Sequence, residues 1–319
     1  VDLSVKDVYS VILYKVFGIG DPEVYGVGAM SDIVWFIRLP RILLATAVGM
    51  GLAVAGVVMQ AIVKNPIADP YILGISSGAS LGATVAIFLG VGAVFGSNSI
   101  GICAFIGAFL ISVLVQITAN IGGRANSVRL LLAGTALGSV CSAFSNFVVY
   151  IAGDRDGIQT VTFWLMGSLA GAKWNELAVI APVIIVSVLF FWTQSRVLNL
   201  MLLGDETAIT MGTDLHLYRQ WYLLISSLIV GFAVYAAGMI GFVGLIIPHV
   251  MRMFLGPDHK KLIPASALVG AIFLVICDGL CRIIIPHTEL PIGILISMIG
   301  APCFIYLMIK RTYGFGGND

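Results

Sequence analysis

Two arginines three residues apart, Arg38 and Arg41, open an apolar run that carries no further charge until Lys64. A third, Arg282, follows Asp278 by one helical turn. The guanidinium fork is suited to paired, charge-assisted bonds with a carboxylate. Each such residue costs about 2.5–3.5 kcal/mol at the centre of a membrane helix and less toward its ends. Spacing alone leaves two readings: Arg38 and Arg41 reach up to headgroups while Arg282 pairs with Asp278, or the three receive carboxylates from a folded partner.

A second charged feature is Leu203-Gly204-Asp205-Glu206-Thr207-Ala208-Ile209-Thr210-Met211-Gly212. It predicts a short helix whose acidic residues sit at the N-terminus, where the helix dipole favours them, with a glycine to end it. Such a helix is either a handle for another protein or a solvated loop helix. Asn65-Pro66-Ile67-Ala68-Asp69-Pro70 is a rigid turn, its two prolines barring helix continuation. Asn126-Ser127 occupies the loop after the third apolar run, and either segment could line a gate or be merely a turn.

Other chemistries are poorly served. Cys277 and Cys281 share a helix face, but no His or third Cys in register completes a metal set, and all five cysteines read as small apolar residues. His249 and His287 read as satisfied polar residues rather than ligands. Gly74-Ile75-Ser76-Ser77-Gly78 matches the hydrolase elbow pattern, yet opens a membrane helix where the elbow needs a strand-to-helix turn. No Gly-Lys dipeptide occurs, so the chain has no P-loop to cradle ATP, and there is no His-Glu-x-x-His.

The elements that must position these residues follow from composition. Of 319 residues, 59% are hydrophobic and only 10% charged, and mean hydropathy is +1.05. Soluble domains carry about 25% charged residues, so this is an all-α polytopic membrane protein. The net charge of +1 leaves no basic footprint for nucleic acid. Apolar runs fall at about 40–63, 71–90, 99–119, 129–151, 175–193, 222–241, 242–255, 262–285 and 290–309, which predicts nine spans. Basic residues recur at alternate ends: Lys64; Arg124 and Arg129; Arg196 and Arg219; Arg252, Lys260 and Lys261; Lys310 and Arg311. Those ends are expected to be cytoplasmic, the C-terminus among them.

An odd span count places residues 1–34 outside, as an amphipathic segment at the outer interface. Val5, Val8, Tyr9, Ile12 and Val16 recur at helical spacing, and Ser4 with Asp7 resembles a capping box. Residues 35–311 form the transmembrane domain, residues 193–220 its longest cytoplasmic loop, and residues 312–319 a cytoplasmic tail. Small residues at Gly74, Gly78 and Gly82 and at Gly134 and Gly138 predict close helix packing in lipid. Pro182, Pro248 and Pro302 predict kinks. Gly51-Leu52-Ala53-Val54 is faintly echoed by Gly231-Phe232-Ala233-Val234.

Seven segments, in unbroken order, resemble the FecCD-type permeases, the membrane subunits of type II ATP-binding-cassette importers for iron-siderophore complexes, haem and vitamin B12. They are Arg38-Leu39-Pro40-Arg41, Gly56-Val57-Val58-Met59-Gln60-Ala61, Asn65 to Pro70, Leu73-Gly74-Ile75-Ser76-Ser77-Gly78-Ala79, Leu130-Leu131-Leu132-Ala133-Gly134, Phe242-Val243-Gly244-Leu245-Ile246-Ile247-Pro248-His249 and Glu289-Leu290-Pro291-Ile292-Gly293. The resemblance implies a ten-helix permease fold with both termini inside, so the family's first helix is expected before Val1. It further implies a homodimer around a central pathway in the prokaryotic cytoplasmic membrane. Two ABC ATPase subunits, which hold ATP and Mg, are expected beneath, and an extracytoplasmic binding protein above.

Arg38, Arg41 and Arg282 fall on family positions that dock that binding protein. Leu203, Gly204, Asp205, Glu206, Thr207, Ala208, Met211 and Gly212 fall on the ATPase coupling helices, and Asn65, Ile67, Asn126 and Ser127 on the cytoplasmic gates. The chain itself is expected to catalyse nothing and to hold no cofactor or metal. A ferric siderophore or haem is the first expectation for cargo, cobalamin the second, and an oxyanion such as molybdate or a stand-alone transporter a distant third.

Overall fold

The computed structural model describes residues 3–121, 123–285 and 288–310. The expectations at His287, Arg311 and the 312–319 tail lie outside them. The described residues are helical throughout, with turns between helices and no strand. In chain order the helices are α1 (Val5–Phe17), α2 (Ala29–Asp32), α3 (Leu39–Val63), α4 (Ile75–Leu89), α5 (Ser99–Asn120), α6 (Ser127–Ala152), α7 (Arg155–Leu165), α8 (Trp174–Thr193), α9 (Ser195–Leu203), α10 (Asp205–Thr210), α11 (Leu215–Ala237), α12 (Val243–Leu255), α13 (His259–Cys281) and α14 (Ile292–Lys310). Six helical rods are long and apolar enough to cross a bilayer, and α4, α12 and α14 supply shorter apolar helices. Each of the nine predicted runs therefore corresponds to a helix.

The first rod is continuous over Ala29–Val63, joined through a wider turn at Ile33–Arg38. The predicted boundary near residue 34 is thus not a break. Pro40 has no N–H to donate four residues back, which favours a locally irregular ladder there. The rod is the axis of the molecule: most of it is buried, against α13, α8, α11 and α12. That burial requires small side chains. A Cβ at Gly56 would lie 1.8 Å from the Gly244 carbonyl oxygen, so α3 and α12 touch backbone to backbone. The α4 glycines do the same against α5, where Gly78 meets the Gly107 carbonyl and Gly82 that of Cys103. The helices run on through Pro182, Pro248 and Pro302.

Two boundaries differ from the sequence reading. Helix α11 starts at Leu215, not near 222, because His216, Tyr218, Arg219 and Gln220 lie in its first turns; polar side chains at a membrane boundary read as loop. The loop expected over 193–220 is accordingly two helices, α9 and α10, with their short flanks. At the N-terminus Ser4 caps α1, accepting from the Asp7 N–H at 3.2 Å and donating to the Asp7 carboxylate at 2.7 Å. Val11 is buried, while Val5, Tyr9, Leu13 and Val16 form an exposed apolar stripe.

Candidate functional site

Two charged nodes lie at opposite ends of α3. Arg41 is in its first turn and Lys64 caps its end, so the nodes stand about 35 Å apart at 1.5 Å per residue, roughly one bilayer core.

At the first node Arg41 is turned inward. Its Nε donates to both Asp278 oxygens, at 2.9 and 3.1 Å, and its Nη2 lies 2.8 Å from Asp278 Oδ1. Nη1 donates to the Glu289 carboxylate at 2.9–3.0 Å. Arg282 closes on Asp278 from the next helical turn. The side chains of Arg41 and Asp278 are 6% and 2% exposed, whereas those of Arg282 and Glu289 are 28% and 51% exposed. Arg38, half-buried, ends the wide turn just before Pro40. The structure thus gathers the three predicted arginines at one end, with two carboxylates among them. A buried ion needs such partners, because an unpaired charge in low dielectric costs several kcal/mol. Arg282 does pair with Asp278, one of the readings open from spacing. The longer link from Arg41 across α13 to Glu289 was not readable, its partners lying 237 and 248 residues away.

At the second node α10 begins at Asp205 after Gly204, whose φ of +103° and ψ of 160° suit glycine alone. Asp205 and Glu206 occupy the first turn, and Gly212 ends the segment at φ +81°. Ala208 is buried, while Leu203, Glu206, Thr207, Ile209 and Met211 are exposed, so the segment presents an apolar and acidic ridge. Asp205 turns inward to Arg219 Nη2 at 2.7 Å and to Lys64 Nζ at 3.6 Å. Burial acts to raise its carboxyl pKa, but Arg219 and Lys64 outweigh that and hold it below the usual carboxylate range.

The gate-predicted residues adjoin this node. Asn65 Oδ1 accepts from the Ile67 N–H at 3.0 Å, closing the turn that Pro66 stiffens. Asn126 caps α6 by accepting from the Arg129 N–H at 2.8 Å. Ser127 Oγ donates to the Ile62 carbonyl at 3.2 Å, which joins the start of α6 to the last turn of α3. Ile67 also lines a cleft of roughly 400 Å³ with Asp69, Tyr71, Met239, Phe242 and Phe304. Phe242 holds a left-handed backbone (φ +65°) at the head of α12. Missed from sequence was Arg219, counted only as a cytoplasmic positive charge although it is 4% exposed. Its position four residues into a helix that soon turns wholly apolar was the available signal.

Gly74 to Gly78 follows a 3-10 turn at Pro70–Leu73 and opens α4, so Ser76 sits on no strand-to-helix elbow. Cys277 and Cys281 are buried free thiols, and among the described residues no three His, Cys, Asp or Glu side chains are placed to hold a metal ion.

A helical bundle built of apolar rods, with an ion cluster at one end and a charged hub under an exposed short helix at the other, defines a multi-pass membrane protein. The family model described as the FecCD transport family matches residues 1–310, and the chain belongs to that family. It is 39% identical to the hemin transport system permease HmuU of Yersinia pestis, over 88% of this chain and 85% of that one. It is 41% identical to the cobalamin import system permease BtuC of Halobacterium salinarum, over 91% and 77%. Among solved structures, a metal-chelate type ABC transporter in an inward-facing conformation superposes with a TM-score of 0.81 at 32% identity, covering 96% of this chain and 99% of that one.

Proposed function

We propose that this chain is the membrane-spanning permease of an ATP-driven importer that carries a bulky metal chelate, haem or a ferric siderophore, across the cytoplasmic membrane. The observation that carries the reading is family membership along residues 1–310, with close relatives named for hemin and cobalamin import. Cobalamin is the second reading, favoured by the 41% identical relative.

In this reading two copies pair around the pathway, and an extracytoplasmic binding protein docks at the arginine end. Arg282 and Arg38 meet its carboxylates there. Arg41, held from below by Asp278, joins them when an incoming carboxylate takes the place of Glu289. At the other end the ridge from Leu203 to Gly212 (Leu203, Gly204, Asp205, Glu206, Thr207, Ala208, Met211 and Gly212) rests on the ATPase subunit. Asn65, Ile67, Asn126 and Ser127 form the cytoplasmic gate. ATP is bound together with Mg and hydrolysed by the ATPase, and no bond of the cargo is made or broken. The work of this chain is conformational: the positive-inside pattern supports reading the Lys64 end as cytoplasmic, and there displacement of α10 changes the packing of the loops above it.

The test is uptake into proteoliposomes holding this chain, its ATPase and its binding protein, with labelled haem, a ferric siderophore and cobalamin offered in parallel. Accumulation of haem or the siderophore only with both ATP and binding protein supports the first reading, and of cobalamin alone the second. Uptake indifferent to ATP overturns both and returns the chain to the stand-alone class.

A further inference from the structure

We propose that Arg219 is a relay between the α10 ridge and the cytoplasmic gate loop at Asn126 and Ser127, a role that rests on the reading of that ridge as the ATPase handle. The guanidinium sits where three segments meet, and it is buried, 4% exposed, in a chain that buries few charges. Nη2 holds Asp205 at 2.7 Å, on the first residue of α10. Nη1 donates to the Ala125 carbonyl at 3.0 Å, one residue before the α6 cap Asn126. Asp205 in turn reaches Lys64 at 3.6 Å, one residue before Asn65. The Arg219–Asp205 pair therefore ties the short helix to the residue before Asn126, a second pair ties Asp205 to the residue before Asn65, and Ser127 ties the start of α6 to the end of α3 at the Ile62 carbonyl.

The rest of the segment is attached differently. Helix α9 is pinned to the bundle on its own account: Asn199 donates to Asp258 at 2.9 Å and accepts from the His259 N–H at 3.0 Å. Among the described residues, Asp205 makes the only side-chain polar contact between α10 and other segments. Gly204, between the two helices, has a backbone conformation that lets α10 leave the line of α9. A β-carbon there would stand 3.4 Å from Lys64 Nζ, in ordinary contact, so it is the backbone conformation and not space that calls for glycine. A push on α10 thus has a hinge at Gly204 and one charged outlet, through Asp205 to Arg219 and Lys64. The rigid, two-pronged guanidinium fork is what lets one side chain grip the carboxylate and the carbonyl together. A lysine keeps the charge but not the fork.

The experiment uses the assembled importer in proteoliposomes, with the five native cysteines replaced. A cysteine at Thr207 (T207C) reports handle contact by cross-linking to the ATPase. A separate V128C, on the exposed residue beside Ser127, reports the gate through its maleimide labelling rate with and without ATP, Mg and vanadate. We expect nucleotide trapping to change the V128C rate severalfold in the parent chain. R219K should cut that change to less than half while the T207C cross-link still forms. D205N, which weakens the Arg219 and Lys64 links together, should do the same, and the double variant should lose no more than D205N alone, since R219K acts through the same carboxylate. A full parental change in R219K with the cross-link intact overturns the relay and leaves the handle standing. Absence of the cross-link in the parent chain overturns the handle and the relay with it, and a parental V128C rate that ignores nucleotide overturns the relay. If R219K assembles poorly, D205N decides: a parental response in its assembled fraction overturns the proposal.

Discussion

Asp278 and Glu289 hold the same arginine, yet their removal should have very different consequences. Asp278 is 2% exposed and its partner Arg41 is 6% exposed. Asp278→Asn would leave a buried guanidinium short of its counter-charge. Breaking a buried pair from one side costs about 3–5 kcal/mol, and the retained amide oxygen places this case near the lower end, about 3. Glu289 is 51% exposed. Its attraction for Arg41 at about 4 Å is worth only about 1 kcal/mol in water-like dielectric, and exposed pairs measure about 0.2–1 kcal/mol. E289Q should therefore lower stability by no more than about 1 kcal/mol, against about 3 for D278N. The same substitution relieves Arg41 of a competitor, so binding-protein affinity should rise, by up to about fivefold for 1 kcal/mol. Equilibrium unfolding in mixed micelles would read the first effect, and immobilised binding protein titrated with the permease in nanodiscs the second. Equal destabilisation by the two variants would refute the assignment of Asp278 as the buried counter-ion. Weaker docking of E289Q would refute its role as a competitor.

Charge reversal by R38E together with R282E should weaken binding-protein docking at least tenfold at low salt, with a smaller loss at high salt as the interaction is screened; surface binding at two salt concentrations checks this. Gly56→Ala places a methyl 1.8 Å from the Gly244 carbonyl oxygen, and the forced separation of α3 from α12 should cost about 3 kcal/mol, the upper end for overpacking, read as lost folded yield and a lower unfolding midpoint. Asp205 has its folded pKa depressed, so its contribution is complete above the unfolded value of about 3.9 and is lost only as pH falls below that through the folded value. Amide exchange over residues 204–212, corrected for intrinsic rates, should therefore show constant protection from pH 7.5 to 5 in the parent chain and lower protection in D205N across that whole range.

The nine apolar runs were legible because a bilayer imposes one length and one chemistry on whatever crosses it. Helix ends were less so. The first turns of α11 hold His216, Tyr218, Arg219 and Gln220, whose polarity reads as loop, and the one local mark of the helix start is Asp214, which caps it by accepting from the His216 N–H. The ion network of Arg41 was hidden for another reason, since its partners come from the far end of the chain and meet it only because α3 and α13 pack side by side. Sequence could say that Arg38, Arg41 and Arg282 were expensive where they stood, and it could offer Asp278 to the last of them. It could not say that Arg41 would spend its fork inside the molecule.

That placement alters how the arginines can act. A guanidinium held by Asp278 below and Glu289 above is preorganised: its orientation is fixed before any partner arrives, and only the outer carboxylate, half exposed, has to exchange. At the opposite end Arg219 has one nitrogen on the Ala125 carbonyl and one on the Asp205 carboxylate, whose helix faces outward, so there the charged partner is the outer one. Each end of the bundle thus carries a buried arginine with one fixed and one exposed partner. At Arg41 the outer partner is far cheaper to lose than the inner one, so it can exchange with a docking carboxylate; at Arg219 the outer partner is the counter-ion, so a shift of α10 that left it behind would strand a buried charge and the two are driven to move together.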